Sequence, residues 1–258
     1  QLRVDGDQLN IEGEIVLPLT QGAINNTPAG VRTVAQYAAW EPATMEVLAG
    51  WTAITGIRKN GSSGDFLGVD ACGDSAAIAG VAVPAVPGFN RPATADSTES
   101  LGQTVNDAAR AVEINWAGII DGSALTPDVI YPPGPIPTWE DTTYYPTVFI
   151  NGDLSTTAPW TGGRGLLIVT GNLGGNGGTF TWDGIVLIGK DLVGNGANEI
   201  EGAIVSSLNA KLGETVPINT ANGTKVYQYN SCEVAKALRG LGALVPLNNT
   251  WVDNWVEY

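Results

Sequence analysis

The chain has 258 residues with 34 Gly, 15 Pro, no His and an apolar share of 43%, and its 26 acidic against 12 basic residues leave a net charge of −14. So much Gly and Pro argues against a helical bundle, while the apolar share argues against a disordered linker. The negative field repels phosphate backbones and disfavours nucleic acid as a partner; the missing His removes the commonest general base and metal ligand.

A chain of this length can bury enough surface for one core, and 1–258 is read as a single discontinuous domain. Residues 1–90 carry short apolar runs broken by Gly and Pro and are read as N-terminal strands. Two of these runs, Ile11-Glu12-Gly13-Glu14-Ile15-Val16-Leu17 and Ile78-Ala79-Gly80-Val81-Ala82-Val83-Pro84, echo Trp182-Asp183-Gly184-Ile185-Val186-Leu187 and Ile200-Glu201-Gly202-Ala203-Ile204-Val205 further on. The shared Gly marks a bend where a side chain would clash, and the echo suggests that N-terminal segments extend a stack built mainly later in the chain. A flanking helix is predicted over 97–116, capped by Ser97-Thr98, with Leu101, Val105, Ala108, Ala109 and Val112 on one face. Prolines between Thr126 and Pro137 predict an extended connector.

The clearest regularity lies within 146–210, read as regular coils. Val148-Phe149-Ile150-Asn151-Gly152-Asp153-Leu154, Leu167-Ile168-Val169-Thr170-Gly171-Asn172-Leu173 and Val186-Leu187-Ile188-Gly189-Lys190-Asp191-Leu192 repeat at a fixed interval. Ile150, Val169 and Ile188 are 19 residues apart, as are Leu154, Leu173 and Leu192; Ala203-Ile204-Val205-Ser206-Ser207 follows at 17 if Val205 is matched to Ile188. One apolar β-run per unit predicts a mainly β fold, an irregular right-handed parallel β-solenoid with one or two flanking α-helices. A meander of hairpins is the alternative. A second helix is predicted from Ser231, with Val234, Ala235, Leu238 and Leu241 as its apolar positions, and 231–258 is read as this helix and a tail. No run of 18 apolar residues occurs, so no membrane span is predicted in this chain.

Candidate sites are few. Asp153, Asn172 and Asp191 share one turn position, either as oxygen ligands for calcium or as caps of turn backbone. Cys72 and Cys232 are either one long-range disulfide or two buried thiols; pairing and low Lys content point to an extracellular protein. Tyr144, Tyr145, Trp160, Trp251 and Trp255 are interface candidates, Trp251 and Trp255 at i,i+4 spacing foremost. Asp5 with Asp7, Glu12 with Glu14, and Glu140 with Asp141 are the carboxylate pairs for a polysaccharide-degrading β-helix enzyme, and Arg58-Lys59 is the adjacent basic pair. No cofactor motif is found, and no catalytic residue is assigned.

The strand-turn units VFINGDL, GLLIVTGNL and FTWDGIVLIGKDL, the segment VDACGDSAAIAGVAVP over 69–84 and YNSCEVAKALRGLGALVPLNNTWVDNW over 229–255 resemble the heads of PilX-type assembly proteins of bacterial type IV pili. The resemblance covers the chain in discontinuous blocks. It implies a non-enzymatic structural subunit at the cell surface, a minor or accessory pilin head that assembles into a filament with other pilus subunits. Such proteins begin with a processed leader and a long apolar helix, which do not precede Gln1; the expectation is a longer chain or a separate short helical pilin chain as partner. A cell-surface adhesin or glycan-binding solenoid is the second reading, and the polysaccharide-degrading enzyme the third.

Overall fold

The computed structural model describes residues 2–5, 8–11, 34–90, 94–132, 139–156 and 161–253. Among them no helix is long and apolar enough to cross a membrane. The protein is mainly β and contains one large parallel sheet. The chain divides into two compact units, Gln1–Ala43 with Leu241–Tyr258, and Thr44–Gly240, where the sequence reading takes 1–258 as one domain. In the first unit β1 (Leu2–Asp5) pairs antiparallel with β2 (Gln8–Ile11). There β3 (Val34–Pro42) also pairs antiparallel with the C-terminal strand Gly242–Asp253.

The second unit opens with β4 (Ala49–Ala53), β5 (Ile57–Lys59), β6 (Asp65–Leu67), β7 (Ala79–Val83) and β8 (Thr98–Ser100). Two helices follow, α1 (Val105–Ala111) and α2 (Trp116–Ile120), then β9 (Val129–Tyr131), β10 (Thr147–Ile150) and β11 (Leu154–Ser155). The long strands are β12 (Gly162–Val169), β13 (Leu173–Ile188) and β14 (Leu192–Ser206). After a 3-10 turn at Leu208–Leu212 come β15 (Asn219–Ala221), β16 (Lys225–Tyr229) and α3 (Ser231–Leu238).

Among the described residues every pairing in this unit's sheet is parallel, and the 19-residue interval read from the sequence is the register from β10 through β12 to β13. Ile150 lies opposite Val169, and Val169 opposite Ile188. Leu154 lies opposite Leu173, and Leu173 opposite Leu192. β9 continues the series, with Val129 opposite Val148. The fourth run needs a correction: Val205 pairs with Leu187, not Ile188, because the register slips between Asn176 and Thr179. The next layer on β14 combines two distant segments. β15 and β16 lie along its earlier part, with Val193 opposite Thr220 and Asn198 opposite Lys225, while β4 lies on its end, with Ile204 opposite Trp51. β5, β6 and β7 stack in turn on β15, β16 and β4, and β8 on β7.

Three local expectations change. The helix predicted over 97–116 begins only after the strand β8, and Thr104 is its cap: the Thr104 hydroxyl accepts from the Asp107 N–H while the Asp107 carboxylate accepts from the Thr104 N–H. That reciprocal cap outcompetes Ser97-Thr98, whose neighbourhood is drawn into strand pairing with β7. The proline-rich connector contains β9, held by pairing with β10. The helix predicted from Ser231 is α3, ending before Gly240, but the stretch read as a tail contains the strand Gly242–Asp253, to which β3 supplies a partner.

Apolar residues from the successive ladders share one core: Leu167 and Val186 from the long parallel row, Leu173 and Leu192 from the turn row, Trp182 and Tyr227 from the third. The alternate residues Leu166, Ile168, Ile185 and Leu187 are buried as well. α3 packs on β12, β13 and β14, burying Val234 and Ala237, which explains why these strands read as unbroken apolar runs. Gly184 and Gly202, the shared glycines of the echo, lie opposite each other with φ of 133° and 139°. A Cβ at Gly184 would land on the Gly165 carbonyl oxygen, and one at Gly202 on that of Gly184. Gly184→Ala is therefore expected to lower the unfolding free energy by at least about 2 kcal/mol, and Leu167→Ala by about 2–5 kcal/mol, in urea denaturation. A Gly184→Ala variant as stable as the parent would contradict the close approach of these layers.

Candidate functional site

The recurring turn residues form a polar column. Asp153 Oδ1 accepts from the Asn172 N–H at 2.6 Å and from Asn172 Nδ2 at 3.1 Å. Asn172 Oδ1 in turn accepts from the Asp191 N–H at 3.3 Å. Each side chain thus satisfies the backbone of the layer above, the capping alternative read from the sequence. Asp191 ends the series and is different: it is 8% exposed, and its Oδ1 is buried without a hydrogen-bond partner. Burial, reinforced by the charge of Asp153, pushes its carboxyl up to about 6. In the following layer Asn219 takes over, its Oδ1 accepting from the Leu192 N–H at 2.8 Å and its Nδ2 donating to the Gly56 carbonyl and Ser207 Oγ at 3.0 Å.

Cys72 and Cys232 form a disulfide across a sequence separation of 160, with Cα atoms 5.7 Å apart. Among the described residues, Cys72, Asp74 and Cys232 are the group of three whose ligand atoms lie within 4.8 Å of one another, and both sulfurs are committed to the disulfide. Asp70 reinforces the same junction. Its Oδ1 accepts from the Ser231 N–H at 2.8 Å and the Cys72 N–H at 3.2 Å; its Oδ2 accepts from Ser231 Oγ at 2.7 Å and the Ser75 N–H at 2.8 Å. Burial works against the Asp70 charge, but the bonds from Ser231, Ser75 and Cys72 outweigh it and hold the carboxyl down at about 2.

A second group of carboxylates lies against α3. Arg164, Asp183, Glu201 and Gln228 are neighbours across four successive strands. Burial and the charges of Glu233 and Glu201 raise the Asp183 pKa, with Arg164 and Lys236 opposing them. Glu233 is engaged by the Tyr145 hydroxyl at 2.7 Å and by Lys236 at 2.6 Å, and Glu201 by Asn230 Nδ2 at 3.1 Å. These contacts dock α3, and they explain why sequence pairing of acids misses the group: its members are neighbours in space, 18 to 50 positions apart in sequence.

Two lysines are also buried. Lys225 Nζ donates to the Gly196 carbonyl at 2.8 Å, and Lys59 Nζ to those of Gly223 at 2.8 Å and Asn60 at 3.2 Å. The Asn198 amide fits with its oxygen accepting from Lys225 Nζ at 3.3 Å and its nitrogen donating to the Ala197 carbonyl at 3.1 Å. Burial, then the Lys59 charge, pushes the Lys225 amine down to about 8. The pair Arg58-Lys59 is split by strand alternation, Arg58 exposed and Lys59 buried.

The interface candidates are placed unequally. Tyr144 is exposed, whereas Tyr145 is half-buried beneath α3, with Lys236 Nζ 5.5 Å from its ring centre. Tyr145 therefore serves an internal contact instead of an open surface. Trp251 belongs to the C-terminal strand, and Trp160 and Trp255 lie outside the described residues, as do Asp7, Glu12 and Glu14. Asp5 is in β1; Glu140 and Asp141 lie in the stretch before β10, where Asp141 Oδ1 accepts from the Thr143 N–H at 2.8 Å. No family model matches the chain, and no curated protein or solved structure matches it either.

Asp70→Ala removes four hydrogen bonds to a charged acceptor at the junction and is expected to lower stability by about 2–4 kcal/mol at neutral pH. A depressed carboxyl stabilises the fold above the ordinary carboxylate range and loses that contribution as pH falls through its folded pKa, here about 2. Chemical denaturation as a function of pH should accordingly show the gap between parent and variant narrowing on acidification. A gap independent of pH would contradict the role given to the carboxylate.

Proposed function

We propose that the protein is a structural subunit of an extracellular type IV pilus-like filament, a minor or accessory pilin head whose parallel ladders are the faces of a right-handed β-solenoid. The observation that carries this reading is the constant register of equivalent residues over β10, β12 and β13, with all rows sharing one apolar core. A stack of this kind is stiff and quasi-one-dimensional, because each layer is stabilised by its neighbours. Its polar side chains at recurring positions secure successive layers to one another, which favours a mechanical role over catalysis. The disulfide suits an oxidising compartment, and the net charge of −14 suits a solvated surface. The resemblance of the strand-turn units to PilX-type heads supplies the filament, with other pilus subunits as partners and a helical pilin segment, in the same or another chain, as the anchor. The solvent-facing Tyr144 is the described side chain that remains from the interface candidates.

Mass spectrometry of surface filaments sheared from the source cells should recover this chain, and immunogold labelling with an antibody to residues 44–240 should decorate the filaments. Deletion of the gene is expected to shorten or abolish them. Recovery of the chain only from the cell interior, with filaments unchanged in the deletion strain, would overturn the proposal.

A further inference from the structure

Where β14 and β16 pair, the register places Asn198 directly opposite Lys225, and both side chains are enclosed by the core, Asn198 5% exposed and Lys225 1%. Lys225 Nζ donates to the Gly196 carbonyl at 2.8 Å and lies 3.3 Å from the Asn198 amide oxygen. Gly194 leaves the room in which the two ends meet: a Cβ there would stand 3.2 Å from Lys225 Nζ and 3.3 Å from the Asn198 amide terminus. A third group closes the cluster. The Tyr227 hydroxyl, two residues along β16, is buried without a hydrogen-bond partner, and the Asn198 amide is the polar group that acts on it. Burial pushes that hydroxyl up, so it stays protonated at neutral pH. Among the described residues no ion pair reaches Lys225, and the charge acting on it is that of Lys59, which has the same sign. With its amine pushed down to about 8, roughly a tenth of Lys225 is neutral and nucleophilic at about pH 7.

We propose that Lys225 and Asn198 join in an intramolecular amide bond, a cross-link between β14 and β16 that the site itself promotes, with the Tyr227 hydroxyl as hydrogen-bond donor to the reacting amide. The lone pair of neutral Lys225 Nζ attacks Asn198 Cγ, and the C=O electrons move onto Oδ1, where the phenol stabilises them. As the carbonyl re-forms, the Cγ–Nδ2 bond breaks, and Nδ2 takes the proton given up by Nζ and leaves as ammonia. One amine and one primary amide thus become one secondary amide and ammonia, with nothing oxidised or reduced. Residues held opposite each other on paired strands need no diffusion to meet, and enclosure limits the access of competing water. The product removes a buried charge that the fold otherwise carries at a cost. It also ties the strand that re-enters the stack to the layer before it, whether or not the chain is a filament subunit.

The test is intact-mass measurement and tryptic peptide mapping of the folded protein before and after incubation at about pH 9, where the amine is mostly neutral, with the disulfide reduced only for digestion. The parent should be lighter than its sequence by the mass of ammonia, about 17 Da, should resist cleavage after Lys225 and should yield one branched peptide joining 191–211 to 212–236. The branch separates the cross-link from a succinimide at an Asn-Gly turn, which loses the same mass but joins nothing. Lys225→Arg, which keeps the charge, should show no branch and should melt at least about 5 °C below the linked parent. Tyr227→Phe keeps the ring against Trp51 and Phe66, so it should fold, and it should link at least about tenfold more slowly. The assignment is overturned if the incubated parent is cleaved after Lys225 and releases 191–211 with Asn198 unchanged. The role given to the phenol is overturned if Tyr227→Phe links as fast as the parent.

Discussion

Parallel backbone pairing at a fixed sequence offset is the constraint from which the rest of the second unit follows. Once Ile150, Val169 and Ile188 are set opposite one another, every position in the repeat meets its own equivalent. Apolar positions then stack into a common core, and turn positions stack into a column in which Asp and Asn can satisfy the next layer's N–H. The same constraint forbids side chains where layers approach closely, which is why Gly184 and Gly202 coincide in the register. It also makes charge expensive at inward positions, where Lys59 and Lys225 donate to the backbone carbonyls of Asn60, Gly223 and Gly196.

The stack is interrupted once in chain order. The layer on β14 is made partly by β15 and β16 and partly by β4, so residues near the start of the unit must be held against residues near its end. The loop carrying Asp70 and Cys72 meets the start of α3 at this junction, through the disulfide and the four hydrogen bonds to Asp70. A cross-link of this span restricts the unfolded chain by about 4–5 kcal/mol in the chain-entropy model. Long-range pairing of this kind is entropically slow to form, and the disulfide and the hydrogen bonds to Asp70 tie the two distant segments at this junction.

The repeat was legible because it is written in local sequence: the same apolar run and the same turn chemistry recur at 19-residue intervals, and the register follows them. The echo around Gly184 and Gly202 was legible for the same reason. What tertiary context decides was not. A slip between Asn176 and Thr179 moves Val205 from Ile188 to Leu187. Thr98–Ser100 is strand only because β7 offers an edge, and Val129–Tyr131 is strand among prolines only because β10 does. The carboxylates beneath α3 could not be found by adjacency, since strand stacking, not sequence, gathers them. The unpartnered state of Asp191 depends on where the chain leaves the column, which no residue type announces.

The functional reading rests on the same pairing: parallel strands held at a constant offset around one apolar core would suit a part that bears load. The most direct test of this account is an inter-strand NOE map of the deuterated, isotopically labelled protein. The account predicts amide-to-Hα contacts of parallel type joining Thr147–Ile150 to Leu166–Val169 and those to Ile185–Ile188, and joining Ile204–Ser206 to Trp51–Ala53. Antiparallel contacts, or Ile150, Val169 and Ile188 resolved on separate sheets, would contradict it.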